Sequence, residues 1–227
     1  IPVHGKGGTD SAVQGGPESS SDSAKSGAGS SSDSAKSGPG SLKVDVGDAR
    51  CLPAEHGTAD AVLLLGPLYH LVDPGDRVLA LREACRVLKP RGIVFAAAIS
   101  RFASLIDGVA SGFLTDPDFQ KIVGGDLASG RHENPTNHPR YFTTAFFHRP
   151  EQLSEEMYAA GFGAVQVLAV EGPVWSGGQF EAVWADPKAR ASMLEGLEKI
   201  EREPSVLGAS AHLLAVARRP DSEPETE

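Results

Sequence analysis

The 227 residues include 30 Asp and Glu against 21 Lys and Arg, for a net charge of −9 and a pI of about 5.3. No Lys/Arg cluster stands out, so nothing asks for a nucleic-acid partner, and no apolar run reaches the length of a membrane span. Two cysteines, Cys51 and Cys85, cannot build a disulfide framework; a soluble, cytoplasmic protein of undetermined oligomeric state is the expectation.

Ile1–Gly8 has neither the charged nor the apolar region of a signal peptide. The missing initiator Met points to a fragment, a processed chain or an unusual gene model. From Gln14 to Ser41 no large apolar side chain occurs, and Ser-Ser-Ser-Asp-Ser-Ala-Lys-Ser-Gly appears at Ser19–Gly27 and again at Ser30–Gly38. Such a stretch cannot offset its ordering entropy, which predicts disorder over residues 1–41. Leu42–Val46 is a short strand candidate. Ala61–Leu65, ended by Gly66-Pro67, reads as a strand buried on both faces. Asp73-Pro74-Gly75-Asp76 marks a helix start, Val78, Leu81, Cys85 and Leu88 recur at helical spacing, and Lys89-Pro90-Arg91-Gly92 ends the helix. Ile93–Ile99 is a second buried strand. Residues 61–99 therefore spell a strand-helix-strand unit suited to a parallel crossover.

A helical region follows from Phe102, with another start at Asp116-Pro117. Pro150–Ala160 is a helix closed by Gly161, Ala164–Val170 a strand, Asp186-Pro187 a further helix start with Met193, Leu197 and Ile200 on one face, and Ala211–Ala217 a last strand. Residues 220–227 form an acidic tail expected to be disordered. The class is α/β with a mostly parallel sheet.

Three segments in order carry a resemblance: Gly47-Asp48-Ala49-Arg50-Cys51-Leu52-Pro53, Ala59-Asp60-Ala61-Val62-Leu63-Leu64-Leu65-Gly66-Pro67-Leu68-Tyr69-His70-Leu71, and Leu81-Arg82-Glu83-Ala84-Cys85-Arg86-Val87-Leu88-Lys89-Pro90-Arg91-Gly92. The series resembles the type 11 group of class I S-adenosylmethionine-dependent methyltransferases over roughly Lys43 to Arg219. Arg91 departs from that pattern, which usually has Gly there. The resemblance implies a Rossmann-like sheet of order 3-2-1-4-5-7-6, S-adenosylmethionine as cofactor and a small-molecule methyl acceptor. It also implies an early strand, a Gly-x-Gly-x-Gly turn and a second strand with a terminal acid. Gly5-Lys6-Gly7-Gly8 lacks the strand and helix that would make it a nucleotide turn, so the first strands are expected to be lacking. Two readings stand: an enzyme, or a non-catalytic remnant that does not bind the cofactor.

Ligands of open α/β sheets sit at the carboxyl ends of the strands. Asp48 lies past a strand end, where its carboxylate can accept from an adenine amino group; the alternative is an Asx-turn or cap. Ala49 would present its N–H to the ring, and Leu65, Gly66 and Tyr69 leave the next strand end toward the methyl. Gly66 allows close backbone approach or simply ends the strand. On the acceptor side, His70, Tyr141 and His148 are candidates for alignment or general-base work; the alternative is core aromatics and satisfied histidines. Trp175 and Trp184 read as packing residues. His132, His138 and His148 match no metal-ligand spacing, so no metal is expected.

Overall fold

The computed structural model describes residues 42–174 and 178–221. The expectations for residues 1–41, for Trp175 and for 222–227 lie outside the described residues.

Residues 42–47 have no regular structure. No strand forms at Leu42–Val46, where alternation suggested one: Leu42, Val44 and Val46 are all exposed. Alternating apolar residues make a strand only when a neighbouring ladder takes up their N–H and C=O groups. The loop 48–54 follows, and then β1 (Ala59–Leu64), α1 (Pro67–His70), α2 (Pro74–Val87), β2 (Leu88–Ser100), α3 (Ala103–Ser111), α4 (Pro117–Ser129), β3 (Arg131–His132), β4 (Ala145–His148), α5 (Pro150–Ala159), β5 (Gly163–Ala169), α6 (Phe180–Ala185), α7 (Pro187–Ile200), α8 (Pro204–Leu207) and β6 (His212–Arg218).

The Asp-Pro pairs start helices as their chemistry dictates. Asp73 accepts from Gly75 N at 2.7 Å, Asp116 from Asp118 N at 2.8 Å and Asp186 from Lys188 N at 2.8 Å. Each satisfies an otherwise orphaned first-turn N–H, while the proline occupies a position that needs no donor.

β2 is the centre of the sheet. On one side it pairs antiparallel with β6, Phe95 opposite Val216, and β6 pairs antiparallel with β5. On its other side β2 pairs parallel with β1, Leu63 opposite Phe95, and further along with β4, Ile99 opposite Phe147. The parallel relationship expected for residues 61–99 holds, and β6 inserts antiparallel between β2 and β5, so the sheet is mixed. The path β1-β2-β6-β5 reproduces the 4-5-7-6 half of the order implied by the resemblance.

Period-two alternation divides the sheet into two faces. Leu64, Val94, Ala96, Ala98, Leu213, Ala215 and Ala217 point to one face and pack with Leu81, Ala84, Leu153 and Met157 of α2 and α5 in the main core. The other face is less covered, and at its β1 end Leu63 and Leu65 are 65% and 56% exposed. A second core joins Phe119, Ile122, Val123 and Tyr141, and a third joins Ile99, Ala145 and Phe147. These two surround the carboxyl ends of β2 and β4.

Candidate functional site

The carboxyl end of β1 carries three of the expected cofactor contacts. Leu65 is exposed; Gly66 precedes α1; and the Tyr69 hydroxyl donates back to the Leu65 carbonyl at 3.0 Å, bracing the strand end. A Cβ on Gly66 would meet only the Tyr69 hydroxyl, at 3.7 Å, so the backbone there is open to close approach. Asp48 closes an Asx-turn: its Oδ1 accepts from Arg50 N at 2.9 Å and its Oδ2 from Arg50 Nη2 at 2.7 Å. These hydrogen bonds from Arg50 bring the Asp48 carboxyl down to about 2. Arg50 continues to Asp76 at 2.8 Å, and Leu52 N donates to Glu83 at 2.8 Å, so the loop is fastened along α2. Ala49 packs against the main core.

Of the acceptor-side candidates, His70 is exposed and stacks on Phe142 with ring centroids 6.2 Å apart. Tyr141, the next residue, is buried, and its hydroxyl donates to Asp116 at 2.6 Å, which raises the phenol pKa. His148 does not join them. It is fully buried under α5 with Nε2 3.2 Å from Glu156, and burial holds its pKa below the ordinary value despite that carboxylate. Its ring meets the Phe146 ring edge-on at 4.8 Å, and Glu156 joins it to Arg77.

A cavity of about 470 Å³ opens at the carboxyl ends of β2 and β4. Ile99 and Phe147 line the strand side, and Phe119, Tyr141 and Phe142 supply aromatic walls. Its polar lining comes from Ser104, Asp107, His132, Arg140, Glu171 and His212. Apolar walls with a few convergent polar groups are the usual construction of a small-molecule site.

Four of these groups, Ser104 with His132 and Glu171 with His212, belong to two networks that the sequence did not disclose. His132 and Asp126 are both about 1% exposed, with Nδ1 2.9 Å from Asp126 Oδ2. The same oxygen accepts from Ser104 at 2.5 Å, and His132 Nε2 donates to the Tyr141 carbonyl at 2.8 Å, because a carbonyl oxygen can only accept. Burial lowers the His132 pKa, but Asp126 and the Tyr141 carbonyl outweigh it and leave the pKa raised. The network ties α3, α4 and the segment before β4 around the cavity. At its other side His212 Nδ1 donates to Glu171 Oε1, while Ser210 donates to Glu171 Oε2 at 2.8 Å. The available signal was positional: Glu171 follows one apolar strand run, and His212 opens another that pairs antiparallel with it. Among the described residues no group of three His, Cys, Asp or Glu is placed to hold a metal ion, and no helix is long and apolar enough to cross a membrane.

A family model described as a methyltransferase domain matches residues 21–96. No curated protein matches the chain. Among solved structures, a Thermotoga maritima S-adenosylmethionine-dependent methyltransferase, described as a possible histamine N-methyltransferase, is similar at 19% identity and TM-score 0.39, over 76% of this chain and 61% of that one. A Methanosarcina mazei S-adenosylmethionine-dependent methyltransferase aligns at 15% identity and TM-score 0.44, over 78% of this chain and 67% of that one. The Haemonchus contortus phosphoethanolamine N-methyltransferase 2, in complex with S-adenosyl-L-methionine, aligns at 15% identity and TM-score 0.40, over 76% of this chain and 36% of that one. The chain thus spans less than two thirds of the first and third of these proteins. Over residues 21–96 the chain is therefore similar to a methyltransferase domain.

Proposed function

We propose that the chain serves S-adenosylmethionine-dependent methyl transfer to a small-molecule acceptor held in the cavity at the ends of β2 and β4. The cavity carries this reading: about 470 Å³ suits a compact organic molecule, and its aromatic walls favour an apolar or planar one. For the cofactor, the described residues fit the adenosyl side. Gly66 leaves room beside the strand end, Leu65 offers apolar surface, and Asp48 is an exposed, ionised acceptor that Arg50 holds through both oxygens. When bound, S-adenosylmethionine supplies an electrophilic methyl on a sulfonium. The chain's part is to align the acceptor and to remove its proton where the nucleophile needs it.

A second reading, a non-catalytic module that does not bind the cofactor, is favoured by the exposed Leu63 and Leu65 at the β1 end of the sheet. Calorimetric titration of the chain with S-adenosylhomocysteine separates the two. Saturable binding weakened by Asp48→Ala supports the enzyme reading, and no binding supports the module.

A further inference from the structure

We propose that Glu171 and His212 form a proton-accepting dyad for the cavity, and that its occupant is a planar, apolar small molecule bearing a hydroxyl group as the methyl acceptor. The inference rests on the reading of the cavity as the acceptor site.

Both residues line the cavity, together with the aromatic residues Phe119, Tyr141 and Phe142. Glu171 follows β5 and His212 opens β6, so two neighbouring strands hold the pair. The carboxylate is fixed at several points. Oε1 accepts from His212 Nδ1, and Oε2 accepts from Ser210 Oγ at 2.8 Å and from His212 N at 3.0 Å. Ser210 Oγ is in turn anchored by Glu171 N at 3.1 Å and Gly172 N at 3.2 Å. A carboxylate only accepts, so Nδ1 carries the proton, and the neutral imidazole keeps its lone pair on Nε2. Nε2 makes no hydrogen bond with any described residue, and the ring is half exposed. Glu171 is the positioning residue and His212 the base.

The acceptor class follows from what such a base is needed for. A neutral amine is already a nucleophile, whereas a hydroxyl must lose its proton as it reacts. As the hydroxyl oxygen bonds to the methyl carbon, its proton passes to His212 Nε2. The carbon–sulfur bond breaks with its electron pair on sulfur, and the sulfonium becomes a neutral thioether. Anionic acceptors are disfavoured by two carboxylates in the lining, Asp107 and Glu171, against one cation, Arg140, whose guanidinium lies 4.4 Å over the Phe113 ring. Of the other titratable groups in the lining, His132 has both ring nitrogens engaged by Asp126 and the Tyr141 carbonyl, the Tyr141 hydroxyl donates to Asp116, and Asp107 accepts from Ser111.

The test uses the full chain with 2-naphthol, 2-methoxynaphthalene and 2-naphthylamine as probes. Nitrogen-15 NMR of the unliganded protein should show His212 protonated at Nδ1; a proton on Nε2 instead overturns the dyad without any mutation. In calorimetry 2-naphthol should bind about fivefold to tenfold tighter than the methyl ether. That preference should vanish in His212→Gln, shrink in Glu171→Gln, and fade as His212 becomes protonated at acidic pH. Equal binding of the three probes, or a preference that survives His212→Gln, overturns the dyad while leaving the cavity reading intact. Failure of all three probes to bind sinks the cavity reading and the dyad together.

Discussion

Arg77 and Glu156 form a buried ion pair between α2 and α5, with Arg77 Nη2 2.7 Å from Glu156 Oε1 and Nε 2.9 Å from the same oxygen. Arg77 is 2% exposed, its Nη1 donates to the Leu71 and Val72 carbonyls at 3.0 and 2.8 Å, and its guanidinium lies 3.7 Å over the Phe146 ring. Glu156 Oε2 also meets His148 at 3.2 Å. One arginine thereby joins α2, α5, β4 and the loop that leaves α1.

Removing one member of such a pair strands a charge in a dry site. Arg77→Ala should cost about 3–5 kcal/mol, read from urea denaturation. Arg77→Lys should recover little, because an ammonium cannot reproduce the planar fork and ring stacking. The double variant Arg77→Met with Glu156→Leu should be more stable than Arg77→Ala. Equal stability of all three variants would show that the pair does not hold the helices together.

Much of the architecture follows from local chemistry in the sequence. The three Asp-Pro starts and the apolar runs at 61–65, 93–99, 164–170 and 211–217 carry their signals within a few residues, and the elements form there. Arg77 shows what local reading misses. Large residues suggested a stripe of Val78, Leu81, Cys85 and Leu88, but the buried one runs through Arg77, Ala80, Leu81, Ala84 and Val87. Small alanines admit the sheet, and a carboxylate 79 positions away admits the arginine. The Asp126–His132 and Glu171–His212 pairs are hidden for the same reason, since tertiary pairing alone gives those residues their chemistry.

Arg91, the position where the resembling family usually has Gly, adopts φ 66°, in the left-handed region. Its side chain is 78% exposed, so nothing repays the strain through packing. Left-handed backbone costs a side-chain-bearing residue about 1–2 kcal/mol, against about 0.4–1 kcal/mol for glycine's extra freedom in the unfolded chain. Arg91→Gly should therefore be stabilising by roughly 0.5–1 kcal/mol. The neighbouring Gly92→Ala should destabilise, because its Cβ would stand 2.9 Å from the Lys89 carbonyl and 3.2 Å from that of Asp60. Thermal denaturation of both variants checks the pair of signs; a lower Tm for Arg91→Gly would refute the strain argument.

The Glu171–His212 pair sets a pH window for stability. Burial pushes the Glu171 carboxyl up, but hydrogen bonds from His212 and Ser210 outweigh it and bring it to about 2, below the ordinary 4.5. The Glu171 bond raises His212 above the ordinary 6.5. Glu171 contributes fully above 4.5 and loses that contribution as pH falls toward 2, whereas His212 contributes fully below 6.5 and loses it as pH rises through its folded value. The stability difference between the native chain and His212→Gln should therefore peak between pH 4.5 and 6.5. A difference that does not fall off on either side of that window would show the pair to be energetically silent.

β1 leaves one edge open among the described residues. Its ladder runs to β2 alone among the described residues, through Ala61–Ile93, Val62–Val94, Leu63–Phe95 and Leu64–Ala96. Its other edge offers main-chain donors and acceptors, and Leu63 and Leu65 stand beside it 65% and 56% exposed. Edge strands are ordinarily guarded by charge, proline or a bulge. Here the register irregularity between Ala59 and Ala61 and the Lys89–Asp60 pair guard only the first end. The uncharged run from Ala61 to Leu65 remains a template for another strand. Leu63→Lys should suppress concentration-dependent self-association of the chain, measured by light scattering. Its unfolding free energy should stay within about 0.5 kcal/mol, since an exposed side chain gives up little packing. Placing the same lysine at Leu64, which is 4% exposed and part of the main core, should instead unfold the domain. If Leu63→Lys leaves self-association unchanged while the fold is intact, the association runs through another surface and the β1 edge is covered in solution.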